Sequence, residues 1–258
     1  MTRNIKLTVA YDGTDFNGWQ RQEHKKKTER TVQGDIENAL KKIHGKQVNL
    51  TGSGRTDSGV HAVGQIANFY TDMENIPAER FTQALNSYLT HDVRILNSCL
   101  ADNNFHSRFS AKSRLYRYQF TCSSSGYSSA LPHENRYNLH LYRTPRLDLL
   151  NAYGRLLLGE TDCALFACAK DSSLLNGRSS NRYIYRAYFY FEKDKLIFEI
   201  CANSFLRNMV RSVAGTFLHY EEIETPPQKM REIIASGKRS LAGTTLPAHG
   251  LFLWHVEY

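Results

Sequence analysis

The segment VNLTGSGRTDSGVHAVGQIANFY, residues 48–70, predicts two strands joined by a glycine-rich loop. Residues 48–51 and 63–70 are short runs rich in apolar and β-branched side chains, which are typical of strands. The loop between them, residues 52–62, contains Gly52, Gly54 and Gly59 together with an arginine, an aspartate and a histidine. The elements on either side of this pair of strands decide the fold.

The sequence before and after the pair completes a unit of six elements. Alternating apolar residues from Ile5 to Tyr11 predict a strand, and Thr31 then caps a helix with apolar residues at helical spacing. Pro77 begins a second helix, and further strands are predicted near 93–100 and 114–122. The resulting order is strand, helix, strand, strand, helix, strand.

The second half of the sequence predicts a similar order. Its elements are a strand near 137–142, a helix at 147–158, strands near 183–191 and 196–201, a helix from 204 to about 219, a helix after Pro226-Pro227 and a final strand at 251–258.

Two such halves predict an α+β protein with two pseudo-symmetric split βαβ, ferredoxin-like halves whose antiparallel sheets form a central cleft. We expect an N-terminal half at 1–122, a serine-rich boundary loop at 123–135 and a C-terminal half at 136–258.

The composition favours a polyanionic partner. The chain has 33 Lys and Arg against 25 Asp and Glu, a formal charge of +8 and a pI near 9.2. The alternative is an ordinary basic protein whose excess charge is spread over its surface. Aromatic residues make up 12% of the chain, and such rings can fill a core or stack on bases.

Cysteine and histidine spacing predicts neither a disulfide framework nor a metal site. The five cysteines form no Cys-x-x-Cys pair, and the ten histidines form no His-x-x-x-His pair. The amino terminus has no apolar signal core, and no run of about 18 apolar residues occurs. We therefore predict a cytoplasmic protein.

The glycine-rich loop is open to three interpretations from its residue types. Asp57 could cap a turn and pair with Arg55 in a purely structural connection. The loop could cradle a phosphate, although it lacks the Gly-Lys-Ser/Thr ending of a P-loop. It could also present Asp57 to a substrate as a catalytic carboxylate, with His61 packed beneath the loop.

Residues 54–62 closely resemble the GRTDxGVHA signature of the TruA family of tRNA pseudouridine synthases. The resemblance covers essentially the whole chain, because other stretches are similar to family blocks in the same order: Tyr11–Gly13, Gly18–Gln22, Thr31–Gln33, Phe105–Ala111, Tyr116–Tyr118, Met209–Arg211 and Gly250–Leu251. The chain departs from the family at Ser58, where Ala is common, and at Ser179-Ser180, where many members have Thr-Pro. The resemblance assigns no role to Arg178 or Arg182.

The resemblance implies three catalytic residues: Asp57 as the essential carboxylate, Arg211 as its charge partner, and Tyr116 as the ring that stacks on the target base. Helical spacing puts Arg211 on the polar side of the predicted helix, and alternation puts Arg114 and Tyr116 on one face of their strand. From the residues alone, these side chains could equally be solvated surface or packing.

The family acts on three consecutive uridine positions of the tRNA anticodon stem and loop, without cofactor or metal, and its bacterial members resemble homodimers. The candidate RNA contacts are Arg21, Lys25, Lys26, Lys27, Arg55, Arg108, Arg114, Tyr116 and Arg207. One rival is a noncatalytic RNA-binding or RNA-folding protein. Another is a glycosidase or nucleoside hydrolase, which would usually need a second carboxylate that the loop lacks.

Overall fold

The protein is described by a computed structural model that covers residues 2–22, 29–123, 131–168, 177 and 179–258. The chain forms two compact units. Unit 1 comprises residues 1–112 and 252–258, and unit 2 comprises residues 113–251. The predicted boundary loop at 123–135 remains a prediction. The compact units divide after residue 112, and the last strand belongs to unit 1.

The described part of the chain is a mixture of helices and strands, which confirms the predicted α+β class. In chain order the elements are β1 (Arg3–Tyr11), α1 (Val32–His44), β2 (Thr51–Gly52), β3 (His61–Thr71), α2 (Phe81–Asn86), β4 (Val93–Ala101), β5 (Ser113–Cys122), β6 (Leu139–Leu141), α3 (Leu147–Arg155), β7 (Gly159–Asp162), β8 (Asn181–Glu192), β9 (Lys195–Ala202), α4 (Met209–Glu222), α5 (Pro227–Ala235) and β10 (Leu251–Glu257). Among the described helices, none combines the length and apolarity needed to span a bilayer.

In unit 1, β1 lies between β4 and β3, and both pairs are antiparallel. The short β2 pairs antiparallel with β3, and β10 pairs parallel with β3 through Phe252 opposite His61. Helix α1 begins as predicted, because the Thr31 hydroxyl accepts a hydrogen bond from the Gly34 amide at 3.2 Å. Buried Phe69 of β3 and Phe81 of α2 meet edge to face in the core, with ring centroids 5.3 Å apart.

In unit 2, the antiparallel strand order is β5-β9-β8-β7, and β6 pairs parallel with β5. The core of this unit is aromatic. Phe198 of β9 stacks on Phe189 of β8 at 4.5 Å, and Phe217 of α4 lies 5.6 Å from Tyr153 of α3. Helices α3 and α4 are therefore anchored by large buried rings.

Three predictions about elements are corrected by the structure. The sheets are not wholly antiparallel, because β10 runs parallel to β3 and β6 runs parallel to β5 instead of returning through hairpins. The helix predicted from 204 begins at Met209, because Asn208 has a φ of 61° that interrupts a right-handed helix. The strand predicted at 48–51 is reduced to the pair Thr51–Gly52.

Candidate active site

The loop between β2 and β3 presents Asp57 from unit 1. The start of the loop is fixed to β3: the Ser53 amide donates to the Ile66 carbonyl at 2.7 Å, and Gln65 Nε2 donates to the Gly54 carbonyl at 3.0 Å. Within the loop, the Val60 amide donates to the Asp57 carbonyl at 3.1 Å and closes a turn. The Asp57 side chain is half-buried on a short, braced connection.

The segment after β1 supports this loop from below. The Trp19 amide donates to the Thr56 carbonyl at 3.1 Å, and the Tyr11 and Thr56 hydroxyls are 2.8 Å apart. Gly18 allows this close approach: its φ is 85°, and a Cβ there would lie 2.5 Å from the Thr56 carbonyl oxygen. The family-like stretches at 11–13 and 18–22 are therefore structural supports of the Asp57 loop.

His61 is a structural residue at the end of the loop. The Gly13 amide donates to its Nδ1 at 3.0 Å, and its ring stacks on Phe252 with centroids 4.7 Å apart. The same nitrogen lies 3.2 Å from the Asp12 carboxylate. The imidazole is buried and ties β3 to the Gly13 turn.

The other unit 1 candidates are basic side chains near the loop or at the surface. Arg55 is exposed. Arg21 pairs with Glu37 of α1 at 2.8 Å and is 37% exposed. Arg108 is exposed and follows Ser107, whose buried hydroxyl donates to the Thr51 carbonyl at 2.7 Å. The stretch at 105–111 is thus fixed to the strand that leads into the Asp57 loop.

Tyr116 belongs to unit 2, in the middle of β5. It lies opposite Ile200 of β9, and its buried ring meets Phe205 edge to face at 5.0 Å. Arg114, on the same face of the strand, donates to the Asn203 carbonyl at 2.8 Å. The ring of Tyr116 is therefore held from the side while its strand is fixed in the sheet.

Tyr118 follows on that face of β5 and is fully buried. Its hydroxyl donates to the Pro247 carbonyl at 2.7 Å, and burial raises its pKa although the charge of Arg211 opposes that rise. A Cβ at Gly250 would lie 2.6 Å from the Tyr118 ring, so only glycine fits there.

Arg211 lies in the first turn of α4, and its guanidinium is oriented by two acceptors. Nε donates to the Leu246 carbonyl at 2.6 Å, and Nη1 donates to Asn208 Oδ1 at 3.0 Å. Burial lowers the pKa of His249, and the positive charge of Arg211 lowers it further. The His249 imidazole is therefore neutral at pH 7, and the cationic group beside it is the Arg211 guanidinium.

The predicted site residues thus lie in both units. Arg21, Arg55, Asp57 and Arg108 belong to unit 1, and Arg114, Tyr116, Arg207 and Arg211 belong to unit 2. The Lys25–Lys27 run and Arg178 lie outside the described residues, and Arg182 donates to the carbonyls of Ser179 and Asn181.

Three polar residues that the sequence did not predict as site residues contact the candidates in the structure: Gln33, Glu37 and Asn208. The signal for Gln33 and Glu37 is their spacing of four residues on α1, beside its apolar stripe, where both are buried. In the described ranges, no three His, Cys, Asp or Glu side chains cluster as a metal site would require.

Comparisons with known proteins identify the family of this chain. A family model described as tRNA pseudouridine synthase matches residues 7–110 and 154–258. A tRNA pseudouridine synthase A of Treponema denticola is 46% identical over 99% of this chain and 93% of that protein. One of Caldicellulosiruptor bescii is 40% identical over 99% of this chain and the whole of that protein.

Among solved structures, an archaeal box H/ACA sRNP complex matches 84% of this chain and 43% of that chain with a TM-score of 0.32 and 10% identity, a likeness too weak to support a conclusion. The family model and the relatives cover both units, including the Asp57 loop and the first turn of α4. The chain belongs to the tRNA pseudouridine synthase family.

Proposed function

We propose that this enzyme converts uridine to pseudouridine in the anticodon stem and loop of tRNA, with Asp57 as the catalytic carboxylate. The observation that carries the proposal is the Asp57 loop, whose sequence resembles the family signature and whose backbone is braced by β3 at its start and by the segment after β1 at Thr56. A braced loop suits catalysis because a carboxylate must be held within a fraction of an ångström of its target.

The reaction is an isomerisation and needs no external reactant. The bond between N1 and C1′ breaks, the base turns, C5 bonds to C1′, and the proton lost from C5 is matched by one gained at N1. A carboxylate can assist as a nucleophile at the sugar or the ring, or as a base toward a sugar proton. Each of these first steps requires Asp57 to be ionised at the junction of sugar and base.

Tyr116 and Arg211 complete the proposed machinery. Tyr116 stacks on the extruded uracil, a role that its fixed, aromatic position on β5 supports. Arg211 supplies positive charge to the Asp57 carboxylate, which favours its ionised form. The two hydrogen bonds that orient the Arg211 guanidinium support this role, because they set its direction before RNA binds.

Binding of tRNA is proposed to rest on phosphate contacts. The charge of +8 and the exposure of Arg55, Arg108 and Arg207 support a basic RNA surface. The other proposed contacts are Arg21, Arg114 and the Lys25–Lys27 run. We also propose that the enzyme is a cytoplasmic homodimer that needs no cofactor, as the family resemblance implies.

The two units are proposed to be pseudo-symmetric split βαβ halves. In unit 1, α1 lies in the chain between β1 and β2, and the sheet order is β1-β3-β2. In unit 2, α3 lies in the chain between β5 and β8, and the sheet order is β5-β9-β8. The same antiparallel order around a crossover helix supports a duplicated, ferredoxin-like unit. The central cleft predicted from the sequence belongs to the same proposal.

The decisive experiment incubates the purified protein with unmodified tRNA transcripts and maps pseudouridine at each position. We expect conversion at uridines of the anticodon stem and loop, and none elsewhere. Asp57→Asn should bind tRNA with unchanged affinity and form no product, because affinity comes mainly from phosphate contacts. If Asp57→Asn retained activity within about tenfold, a difference of about 1.4 kcal/mol, the carboxylate would not be catalytic. Binding without conversion by the unaltered chain would favour the noncatalytic rival.

A further inference from the structure

Unit 1 contains a polar cavity of about 470 Å³ beside the Asp57 loop. Its wall includes Arg55 of the loop, Gln20 and Arg21 of the segment after β1, Glu37 of α1, and Asn49. Apart from Leu50, every side chain that lines the cavity is polar or charged. Such a lining suits a hydrophilic ligand and not an apolar one.

A buried carboxylate organises this wall. The side chain of Glu37 is only 2% exposed, and its Oε1 accepts hydrogen bonds from the Leu50 amide and from Gln33 Nε2, both at 3.1 Å. Its other oxygen pairs with the Arg21 guanidinium at 2.8 Å. Glu37 is thus joined to the backbone, to its own helix and to Arg21.

Gln33 fixes the backbone of the same segment. Its Oε1 accepts from the Arg21 amide at 2.9 Å and from Gln20 Nε2 at 2.6 Å, while its Nε2 also donates to the Leu50 carbonyl at 3.0 Å. The amide oxygen and the carboxylate, one helical turn apart on α1, therefore hold both the backbone and the side chain of Arg21.

The charge balance of the wall favours an anion. Two guanidinium groups, Arg21 and Arg55, line the cavity with one carboxylate, Glu37, whose Oε1 accepts from the Leu50 amide and whose Oε2 lies 2.8 Å from the Arg21 guanidinium. Arg21 is 37% exposed and Arg55 is exposed, so both can reach a bound group. A guanidinium presents several N–H donors in a plane, which matches the oxygens of a phosphate.

We propose that this cavity is a phosphate subsite for the tRNA backbone next to the target uridine, and that Glu37 and Gln33 are positioning residues that hold Arg21 there. The proposal rests on the proposed function. Arg55 and Asp57 are separated by one residue, so their Cα atoms are at most about 7.6 Å apart. An RNA strand whose target uridine lies at Asp57 therefore has a neighbouring phosphate within reach of Arg55.

The test is a double-mutant cycle with Arg21→Ala, Glu37→Gln and the double variant, using tRNA titrations at several salt concentrations. Arg21→Ala should weaken binding about tenfold and flatten the salt slope by about one unit, since one phosphate is no longer neutralised. Glu37→Gln should weaken binding a few-fold with the slope retained, because Arg21 keeps its charge but loses its placement. Glu37→Gln should have no further effect when Arg21 is already Ala.

Several controls separate this proposal from its rivals. Arg80→Ala, which removes an exposed arginine of unit 1 outside the cavity wall, should leave the salt slope unchanged. If Glu37→Gln weakened tRNA binding equally in the unaltered chain and in Arg21→Ala, Glu37 would act only through the fold. That result would overturn its positioning role. Unaltered binding by Arg21→Ala, with normal pseudouridine formation by the unaltered chain, would overturn the subsite alone. Absence of product with the unaltered chain would contradict the proposed function instead.

Competition by inorganic phosphate shows whether the cavity binds a phosphate of the RNA backbone or free phosphate. Added at constant ionic strength, it should compete weakly with tRNA in the unaltered chain and not in Arg21→Ala, as expected for a subsite built for a phosphodiester. Tight phosphate binding that tRNA does not displace would indicate a site for free phosphate and would overturn the assignment to RNA.

Discussion

The Arg211 guanidinium is fixed at two of its nitrogen atoms by acceptors of its own unit. The Leu246 carbonyl orients Nε, and the Asn208 amide oxygen orients Nη1 from a residue in the left-handed conformation. Asparagine tolerates that conformation better than most residues, and it also carries the acceptor. Two separate properties of Asn208 therefore serve the placement of one side chain.

Asn208→Gly separates these two properties. Glycine keeps the backbone at a φ of 61° but removes the acceptor, so we expect single-turnover pseudouridine formation to slow by about tenfold while tRNA affinity stays the same. Asn208→Asp retains an acceptor and should remain close to the unaltered rate. If Asn208→Gly were as fast as the unaltered chain, the hydrogen bond would not position Arg211.

Replacing Arg211 itself should slow product formation far more than replacing Asn208. Arg211→Ala is expected to slow single-turnover product formation by about a hundredfold or more, because the proposed partner charge of Asp57 is removed. Arg211→Lys should recover only part of the rate, since Lys keeps the charge but cannot satisfy both acceptors in the same plane. Full activity of Arg211→Ala would place this side chain outside the active site.

At this scale, the sequence could indicate which residues matter but not how they are held. The signature at 54–62 singles out Asp57, and the resemblance at 209–211 singles out Arg211. The left-handed Asn208 was not predictable, because the apolar spacing of Phe205 and Leu206 continues the helical pattern across it. Periodicity reports which face is buried and is insensitive to one residue that breaks the backbone.

The start of α1 is joined to β4 by an ion pair. Arg30 donates to Asp92 at 2.7 Å and pairs with Asp35 at 2.8 Å, and the Thr90 hydroxyl donates to Asp92 at 2.6 Å. Burial by itself would raise the pKa of Asp92, but the hydrogen bonds from Arg30 and Thr90 prevail and lower it to about 2.

Asp92→Asn should therefore destabilise the protein in a pH-dependent way. A pKa lowered from 3.8 to about 2 in the folded state stabilises the fold above about pH 4, and this contribution disappears as the pH falls toward 2. We expect Asp92→Asn to reduce the free energy of unfolding by about 1 to 2 kcal/mol at neutral pH, after allowance for solvent screening of Arg30. Urea unfolding of both proteins between neutral and acidic pH measures the difference, which should shrink below pH 4. A constant difference would show that the charge of Asp92 contributes nothing.

The support beneath the Asp57 loop gives a second test with a matched control. Gly18 and Gly45 both have positive φ angles, 85° and 68°, but only Gly18 has a backbone carbonyl where a Cβ would stand. Gly45→Ala should cost about 1 kcal/mol of stability and leave activity unchanged. Gly18→Ala should cost more and also slow single-turnover product formation, because Thr56 must move. Equal effects of the two substitutions would show that the contact with Thr56 does not support the loop.

Elements with strong patterns were predictable, and those defined by tertiary pairing were not. Helix α1 follows from Thr31, from its apolar spacing and from Gly45, which are all local signals. Strand β7, with the sequence GETD, has no alternating pattern and exists because it pairs with β8.

For the whole molecule, the net charge of +8 predicts tRNA binding that weakens steeply with salt. Replacing the Lys25–Lys27 run by Ala should flatten the salt slope by up to about one unit for each phosphate that these lysines neutralise. Tyr116→Ala should leave the slope unchanged and reduce turnover, because stacking on an extruded base releases no counterions. Titrations at several salt concentrations, with single-turnover assays alongside, measure both quantities. An unchanged slope for the lysine variant would exclude that run from the RNA surface.

Composition thus indicates a polyanionic partner, but it does not indicate how the chain divides into units. The alternating residues of 251–258 predict a strand, as found, yet an alternating pattern contains no information about which strand it will pair with. The parallel pairing of β10 with β3 in unit 1 could therefore not be predicted from the sequence.

That pairing has a consequence for synthesis on the ribosome. Phe252, the stacking partner of His61 at the end of the Asp57 loop, is translated only after all of unit 2. A nascent chain that has exposed residues 1–112 therefore lacks the strand that borders β3, and the packing at the end of its Asp57 loop is incomplete until β10 emerges. Vectorial synthesis thus delays completion of the loop that carries Asp57, so a chain released before Phe252 is added leaves the ribosome without the ring that stacks on His61.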